Sequence, residues 1–387
     1  MKSTLVVLGS LVGGALSLHA RHADFHQKKD LIPRELAPGC CKKVVTVTVY
    51  EDEAAPTTTV SLTSTEVNVI SVTAVAVSTP VAPVVNAQAP YSAPAPAPSA
   101  AAPSSAAAPA ASSAPASTGG IVANGQKWGF TYTPYSTADG SCLSAGQVLS
   151  DLTTIKGKGF TTVRVYGTDC DTLDTVGAAA RTVGLKLILG VFIKADGIAA
   201  AQSQIPQIVT WGNAGNWDLV VMLVVGNEAI SSGFCDGPSL AAFVSSAKSA
   251  LTAAGQGSIP VTTTEVVSVL GANKGVLCPV VDIVAANIET FFDGSVIAAN
   301  AGDFAKSQLD QVSGFCPGKT AYNLESGWPM GGPSNGASVA SPEAQNAAIA
   351  DIINKVGDKT VIFSFGNDMW KPAGVDQNFG CIENIVM

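Results

Sequence analysis

Two glutamates stand directly after apolar stretches of the chain, about a hundred residues apart. Glu228 follows the run LVVMLVVG, and Glu325 lies near the end of KTAYNLESGWP. A carboxylate at the tip of an apolar strand either faces water in a loop or is placed there for chemistry. Two such carboxylates could divide acid/base and nucleophilic work on one substrate between them.

Histidine chemistry is excluded from the C-terminal two thirds of the chain. All three histidines, His19, His22 and His26, lie near the N-terminus. A Ser-His-Asp triad or a histidine-ligated metal would need a histidine close to the two glutamates. No cofactor fingerprint is visible either, so we expect neither a metal nor a cofactor.

Eight apolar, β-branched runs from about Gly120 onward predict the strands that position these residues. The runs are KWGFTYTPY, FTTVRVYG, LKLILGVFI, LVVMLVVGNE, IPVTTTEV, VDIVAANIE, KTAYNLESGWP and TVIFSFGNDMW. Between many of them lie helical patterns: SAGQVLSDLTTIKGKG, DTLDTVGAAARTVG, PSLAAFVSSAKSALTAAG and SPEAQNAAIADIINKVG. Strand–helix alternation indicates parallel pairing, and eight repeats predict an α/β fold, a (β/α)8 TIM barrel. A doubly wound open sheet is the alternative, but the glycine-rich phosphate loop typical of it is absent.

The reactive groups of a TIM barrel lie at the C-terminal ends of its strands. The polar and aromatic residues at the ends of the predicted strands are carboxylates, amides, tyrosines, tryptophans and one arginine. They include Tyr132, Tyr135, Arg164, Tyr166, Asp169, Asn227, Glu228, Glu265, Asn287, Glu289, Tyr322, Asn323, Glu325, Trp328, Asn367, Asp368 and Trp370. Paired carboxylates with flat rings and amide groups indicate a carbohydrate site that acts on a glycosidic bond.

The segments GFTYTPY, VRVYGTDC, LILGVF, VVGNEAI and NLESGWP resemble fungal members of glycoside hydrolase family 17. These are secreted β-1,3-glucanases and glucanosyltransferases of cell walls, and the resemblance runs from about residue 127 to 381. It implies retaining chemistry, with Glu228 as general acid/base and Glu325 as nucleophile. A retaining pair has carboxyl groups about 5–5.5 Å apart, and the predicted fourth and seventh barrel strands face each other across the barrel mouth.

The resemblance implies hydrolysis or transglycosylation of β-1,3-glucan in cell-wall remodelling. A glucan-binding structural wall protein with little or no activity is the alternative, and a third possibility is a glycosidase acting on another β-glucan linkage. We expect Asn227 to bind the sugar 2-hydroxyl. The other expected substrate-binding residues are Tyr132, Tyr166, Glu289, Phe292, Trp328 and Trp370.

Two stretches depart from the family pattern. NIETFFDG has Glu289 and Thr290 where a histidine or tyrosine and a proline are usual, and FGNDMWK lacks the usual acidic pair. Glu289 therefore adds a possible third carboxylate to the cleft. Glu265 and Asp368 either support the site or form structural salt bridges. Arg164 either contacts substrate or makes an ion pair in the barrel floor.

The N-terminal third predicts a leader and a stalk. Residues 1–20 have the layout of a secretory signal peptide. Residues 21–118 read as a propeptide-like stretch, then a Val/Thr-rich part, then an Ala/Pro/Ser-rich part. The Ala/Pro/Ser-rich composition predicts a disordered, O-glycosylated stalk, and the Val/Thr-rich part either belongs to it or forms isolated strands. The barrel domain would occupy residues 119–387, without a membrane span, in a protein secreted to the cell wall.

Secretion makes disulfide pairing the default for the cysteines. Six of the eight cysteines lie in the barrel domain, where 15 pairings are possible, while Cys40 and Cys41 are adjacent. The formal net charge is −8, and the whole acidic excess lies in the barrel domain. Nucleic acid and anionic membrane are therefore disfavoured as partners, and a neutral polysaccharide within a wall matrix is favoured.

Overall fold

The computed structural model describes residues 45–49, 58–62 and 125–386. The chain divides into two compact units. In the first, strands β1 (Val45–Val49) and β2 (Thr58–Leu62) pair antiparallel. These strands fall in the Val/Thr-rich part, where isolated strands were one of the two expectations. The predicted signal peptide, the rest of the stalk, Cys40 and Cys41 lie outside the described residues.

The second unit contains a closed barrel of eight parallel strands. The strands are β3 (Gly129–Thr131), β4 (Thr162–Arg164), β5 (Lys186–Val191), β6 (Val220–Asn227), β7 (Val261–Val266), β8 (Val284–Asn287), β9 (Ala321–Gly327) and β10 (Thr360–Phe363). Each strand pairs with the next, and β10 closes the ring on β3. The predicted (β/α)8 barrel is confirmed, since each of the eight apolar runs supplies one strand.

Helices follow the strands around the outside of the barrel. They are α1 (Ala145–Gly157), α2 (Thr172–Val183), α3 (Gly197–Ala201), α4 (Gln204–Trp211), α5 (Gly237–Ala253), α6 (Val267–Leu277), α7 (Ala301–Ser313) and α8 (Pro342–Val356). The four quoted helical patterns correspond to α1, α2, α5 and α8. Ser144 and Gln147 form a capping box at the start of α1, and the Asp236 and Ser341 side chains cap α5 and α8. These caps fix where the helices begin.

The barrel interior changes from apolar to polar toward the C-terminal ends of its strands. A small cluster of buried apolar side chains comes from alternating positions of several strands: Ile188, Met222, Val224, Ala285, Leu324 and Val361. Nearer the strand ends, Arg164, Thr264 and Asn287 are buried and polar. The larger apolar core contains residues of both strands and helices. The barrel thus presents a buried polar layer at the face where active sites of this fold lie.

Four of the six cysteines in the barrel form disulfides, Cys142–Cys170 and Cys278–Cys316. Cys235 and Cys381 carry free thiols, so the expectation that all six would pair is wrong for these two. Burial raises the pKa of Cys235 to about 12, and it also raises the pKa of the Cys381 thiol. Neither thiol is therefore activated as a thiolate at neutral pH. None of the described helices has the length and apolar character needed to cross a membrane.

Candidate active site

Arg164, at the end of β4, is the centre of a buried polar network. Its Nη1 donates to Glu325 Oε1 at 3.0 Å and to the Leu324 carbonyl at 2.6 Å. Its Nη2 donates to Asn227 Oδ1 at 2.7 Å. Arg164 and Glu325 are 1% and 0% exposed, so this is a buried ion pair. Of the two roles expected for Arg164, the structure places it as an ion-pair partner, but at the barrel mouth.

Asn287, at the end of β8, extends this network to the second glutamate. Its Nδ2 donates to Glu228 Oε1 at 2.8 Å and to Asn227 Oδ1 at 3.0 Å. The Thr264 hydroxyl donates to Asn287 Oδ1 at 2.9 Å, which orients the amide. Glu228 and Glu325, which sequence reasoning paired, are therefore joined through Asn287, Asn227 and Arg164. Asn287 was not among the expected substrate-binding residues, although it stands at a predicted strand end.

The backbone at Glu228 takes an unusual turn. Glu228 has φ +51°, in the left-handed region that non-glycine residues rarely adopt. Its N–H donates to the Thr264 carbonyl at 2.9 Å, so the residue stays attached to the end of β7. Residues held in such conformations cluster at functional sites, where the surrounding structure compensates for the strain.

Glu265, at the end of β7, supports the segment that follows Glu228. Its two carboxylate oxygens accept the backbone N–H groups of Ile230, at 2.8 Å, and Ser231, at 3.1 Å. Burial raises the pKa of Glu265 to about 8; the nearby charge of Glu228 acts in the same direction, and the backbone hydrogen bonds oppose the shift. Glu265 therefore matches the expectation of a supporting residue.

Asp368 and Lys371 form a second buried ion pair in the segment after β10. Lys371 Nζ lies 2.6 Å from Asp368 Oδ2. Burial lowers the pKa of Lys371 to about 7, while the negative charges of Asp368, Asp376 and Glu325 oppose that shift. Asp368 therefore forms a structural salt bridge and also supports the site, the two roles expected for it, because its partner Lys371 lies close enough to Glu325 to interact with that charge. Sequence reasoning did not single out Lys371, whose only signal was its place beside Trp370.

Tyr132 and Tyr166 line a cavity of 290 Å³ at the ends of β3, β4 and β10. The Tyr132 hydroxyl donates to Asp151 Oδ2 at 2.8 Å. The Arg164 guanidinium lies over the Tyr166 ring, 4.7 Å from its centre. Burial, followed by the charge of Glu325, raises the pKa of Tyr166 well above its usual range. Both phenols are thus neutral groups in the lining of one cavity, and Tyr166 lies close to Glu325.

Glu289 and Phe292 line a second cavity, of 310 Å³, together with Glu228 and Asn287. Phe292 is half-buried, as a ring that contacts a ligand would be. Glu289 Oε2 accepts the backbone N–H of Gly327 at 2.9 Å. The additional carboxylate that the departure from the family pattern predicted is thus present at the cleft and fixed in place.

The two tryptophans that were expected to bind substrate, Trp328 and Trp370, differ in burial. Trp370 is half-buried, and its ring meets the edge of Tyr135 with 6.4 Å between centroids. Trp328 is fully buried; its Nε1 donates to the Val339 carbonyl at 2.8 Å, and its ring packs against Phe291. The prediction that Trp328 forms a sugar platform is therefore wrong, because no face of the ring is open to a ligand. Within residues 125–386, no cluster of carboxylate, histidine or cysteine side chains could hold a metal ion.

The barrel domain matches a known protein family. Residues 129–380 match the model of the BtgE/BtgC glycoside hydrolase domain. The chain belongs to this family. It is 48% identical over 259 residues to Probable beta-glucosidase btgE of Aspergillus clavatus, and 48% identical over 258 residues to the Aspergillus terreus protein of the same name. Each match covers 66% of this chain and 45% of the relative. The chain thus matches about half the length of these curated relatives.

Solved structures share the barrel. The glycoside hydrolase family 17 β-1,3-glucanosyltransferase of Rhizomucor miehei superposes with a TM-score of 0.59 at 25% identity, over 66% of this chain and 92% of that one. An active-site mutant of the same enzyme, solved with laminaritriose, gives the same values. An endo-laminarinase from Formosa gives a TM-score of 0.57 at 16% identity, over 67% of this chain and 84% of that one, which supports the fold alone.

Proposed function

We propose that this chain is a retaining, β-1,3-glucan-active glycoside hydrolase of the family 17 type, with Glu325 as nucleophile and Glu228 as general acid/base. The observation that carries the proposal is the buried network joining the two glutamates, in which Glu325 pairs with Arg164 and Glu228 accepts from Asn287. A protein that only binds glucan does not need two buried carboxylates held in such different surroundings.

The electrostatic surroundings support this division of roles. The guanidinium of Arg164 stabilises the carboxylate form of Glu325, which is the form that attacks the anomeric carbon. Glu228 accepts a hydrogen bond from a neutral amide and lies near Glu265. Such an environment suits a carboxylic acid that gives its proton to the departing sugar oxygen. Glu228 then takes the proton of the incoming water, which cleaves the glycosyl ester on Glu325.

Asn227 supports the reaction through its amide. Its Oδ1 is occupied by Arg164 and Asn287, which fixes the orientation of the side chain. Its Nδ2 is buried and has no hydrogen-bond partner among the residues that the structure describes. An unsatisfied buried donor at this place fits a sugar hydroxyl, and we assign it to the 2-hydroxyl of the sugar attacked by Glu325.

The substrate assignment draws support from the Rhizomucor miehei enzyme, a β-1,3-glucanosyltransferase solved with laminaritriose. We propose the same polysaccharide for this chain, in a secreted protein that remodels the cell wall. The apolar and aromatic lining of the cleft, with amide and carboxylate groups, suits neutral sugars.

The test is product analysis with the full-length chain. We expect laminari-oligosaccharides of defined length to yield shorter products by hydrolysis, and longer ones where transfer occurs, as followed by mass spectrometry. A Glu325→Gln variant controls for contaminating glucanases and is expected to form neither. Binding of the oligosaccharides with no change in their length would contradict the proposal and favour a structural wall protein. Cleavage of mixed-linkage glucan but not laminarin would contradict the linkage.

A further inference from the structure

One of the two disulfides stands at the mouth of the barrel. Cys142 belongs to the connection between β3 and α1, and Cys170 to the connection between β4 and α2. Both connections leave the C-terminal ends of their strands, on the face that carries Glu325. The Cys278–Cys316 disulfide instead follows the ends of α6 and α7, where the helices return to the opposite face. The mouth disulfide is therefore the one that lies near the site.

Residues 134–143, which follow β3, fold into a short hairpin that we call the mouth hairpin. Tyr135 and Cys142 stand opposite each other across it in an antiparallel bridge. The N–H of Leu143 donates to the carbonyl of Pro134 at 2.9 Å, which closes the base of the hairpin. Because the two arms are joined in this way, a displacement of Cys142 also moves Tyr135.

A hydrogen bond joins the same two connections beside the disulfide. The Tyr135 hydroxyl donates to Asp169 Oδ2 at 2.6 Å. Asp169 directly precedes Cys170, and Tyr135 stands opposite Cys142, so the hydrogen bond and the covalent bond are neighbours. An exposed hydrogen bond of this kind contributes little by itself, because water can replace either partner. The disulfide keeps the two groups within reach of each other, with 5.3 Å between its Cα atoms.

The backbone beside Asp169 takes a turn that its residue types do not favour. Cys170 and Asp171 have φ values of +52° and +50°, both in the left-handed region. Non-glycine residues rarely adopt this region, and here two adopt it in succession. The Asp171 side chain does not compensate by capping α2. The disulfide therefore ties down a turn that the backbone alone would tend to leave.

The mouth hairpin forms one wall of the 290 Å³ cavity, and the segment after β10 forms another. The hairpin contributes Tyr135, Ser136 and Thr137, and the segment after β10 contributes Phe365, Gly366 and Asp368. These walls meet where the Tyr135 ring contacts the edge of Trp370. Tyr166 lies in the same lining, close to Glu325. A movement of the hairpin therefore changes the shape of the space beside the nucleophile.

Resting on the proposed function, we infer that Cys142 and Cys170 are positioning residues for the glucan, and that their disulfide makes substrate binding sensitive to reduction. A dithiol reductant supplies two electrons and two protons, so the S–S bond breaks, two thiols form, and the reductant becomes a disulfide. The mouth hairpin then loses its fixed position, and binding must also order it, which weakens affinity. The strands still hold Glu228 and Glu325, so the chemical step is preserved.

The test compares two variants of the full-length protein, Cys142→Ala/Cys170→Ala and the matched control Cys278→Ala/Cys316→Ala. The bridged cysteines are 28 and 38 residues apart, so chain entropy predicts similar losses of thermal stability for both variants. Nitrophenol release from nitrophenyl β-laminaribioside gives kcat and KM. We expect the first variant to raise KM about fivefold to tenfold, with kcat within about twofold of wild type. The control should leave both constants unchanged.

Mild reduction of the wild-type protein gives a second measurement that needs no substitution. Cys142 is exposed and Cys170 half-buried, whereas Cys316 is only 2% exposed, so dithiothreitol should open the mouth disulfide first. Alkylation and peptide mapping identify the opened bond. KM should rise in step with alkylation of Cys142 and recover after reoxidation with oxidised glutathione.

Three results would overturn the inference: a KM unchanged by loss of the mouth disulfide, an equal rise of KM in the control, or a loss confined to kcat. Calorimetry with laminaritriose, in a Glu325→Gln background without turnover, should show the same fivefold to tenfold difference in Kd. Wild type that releases no nitrophenol would instead overturn the proposed function, and this inference with it.

Discussion

Glu228 and Glu325 are the same residue type, equally buried, yet their surroundings differ. Glu325 belongs to a charged half of the site, where Arg164 is 3.0 Å away and Lys371 lies close enough to sense its charge. Glu228 belongs to an acidic and amide half, with Asn287, Glu265 and Glu289 around it. The contrast supports the proposal that neighbouring charge gives the two glutamates different chemical roles, and three sets of variants test it.

The largest effect is expected from the glutamates themselves, and it should depend on the leaving group. Glu325→Gln should lower kcat/KM about 10⁴-fold or more on every substrate, because no covalent intermediate can form. Glu228→Gln should lose about 10²- to 10⁴-fold on laminari-oligosaccharides. The loss should be much smaller for nitrophenol release in the first turnover, since nitrophenolate leaves without a proton. Stopped-flow and steady-state kinetics on both substrates measure the difference, and equal losses for Glu228→Gln on both would refute its role as acid.

An effect of intermediate size is expected on the stability of the fold when the arginine of a buried ion pair, and not that of an exposed one, is replaced. Arg164→Met leaves Glu325 as an unpaired buried charge and should destabilise the fold by about 3–5 kcal/mol. Arg181→Met is the matched control, because Arg181 pairs with Asp218 at the surface, where the side chains are 45% and 58% exposed. Exposed pairs contribute little, so its unfolding curve should stay close to wild type. Urea unfolding measures the stability of both variants. Similar unfolding curves would show that the fold does not depend on the ion pair between Arg164 and Glu325.

The smallest effect, taken per pH unit, is a pH dependence from Glu265. Its pKa is raised from 4.5 to about 8 in the folded chain, so between these values the folded state keeps a proton that the unfolded state has lost. Raising the pH through this window therefore destabilises the fold, by at most about 1.4 kcal/mol per pH unit. Glu265→Gln should flatten this decline between pH 5 and 8 in thermal unfolding at a series of pH values. An identical decline in the variant would show that other groups cause it.

Local pattern was enough to predict the barrel and the positions of both glutamates. Eight apolar runs define eight strands, and a residue directly after such a run must lie at the strand end whatever the rest of the chain does. Glu289 was predicted at the cleft by the same logic. Its position is set by β8, which ends at Asn287, two residues earlier.

Side-chain partners, ring orientation and disulfide pairing depend on tertiary contacts, which the sequence alone did not predict. Arg164 stands at a strand end like the glutamates, but its partner, Glu325, is 161 residues away. Trp328 lies three residues after Glu325, and only the packing around Phe291 determines that its ring turns inward. Among the six cysteines of the barrel, pairing depends on which loops meet in space. Long-range geometry of this kind leaves no local signal in one sequence.

The most direct test of the central claim is covalent labelling with an activated 2-deoxy-2-fluoro β-laminaribioside. The fluorine slows both steps of a retaining glycosidase, and a good leaving group lets the first proceed, so the glycosyl-enzyme accumulates. Mass spectrometry of the full-length chain, followed by peptide mapping, locates the sugar. The account predicts one added laminaribiosyl group, on Glu325, and none in Glu325→Gln. A label on Glu228 or Glu289, with Glu325 unmodified, would contradict it.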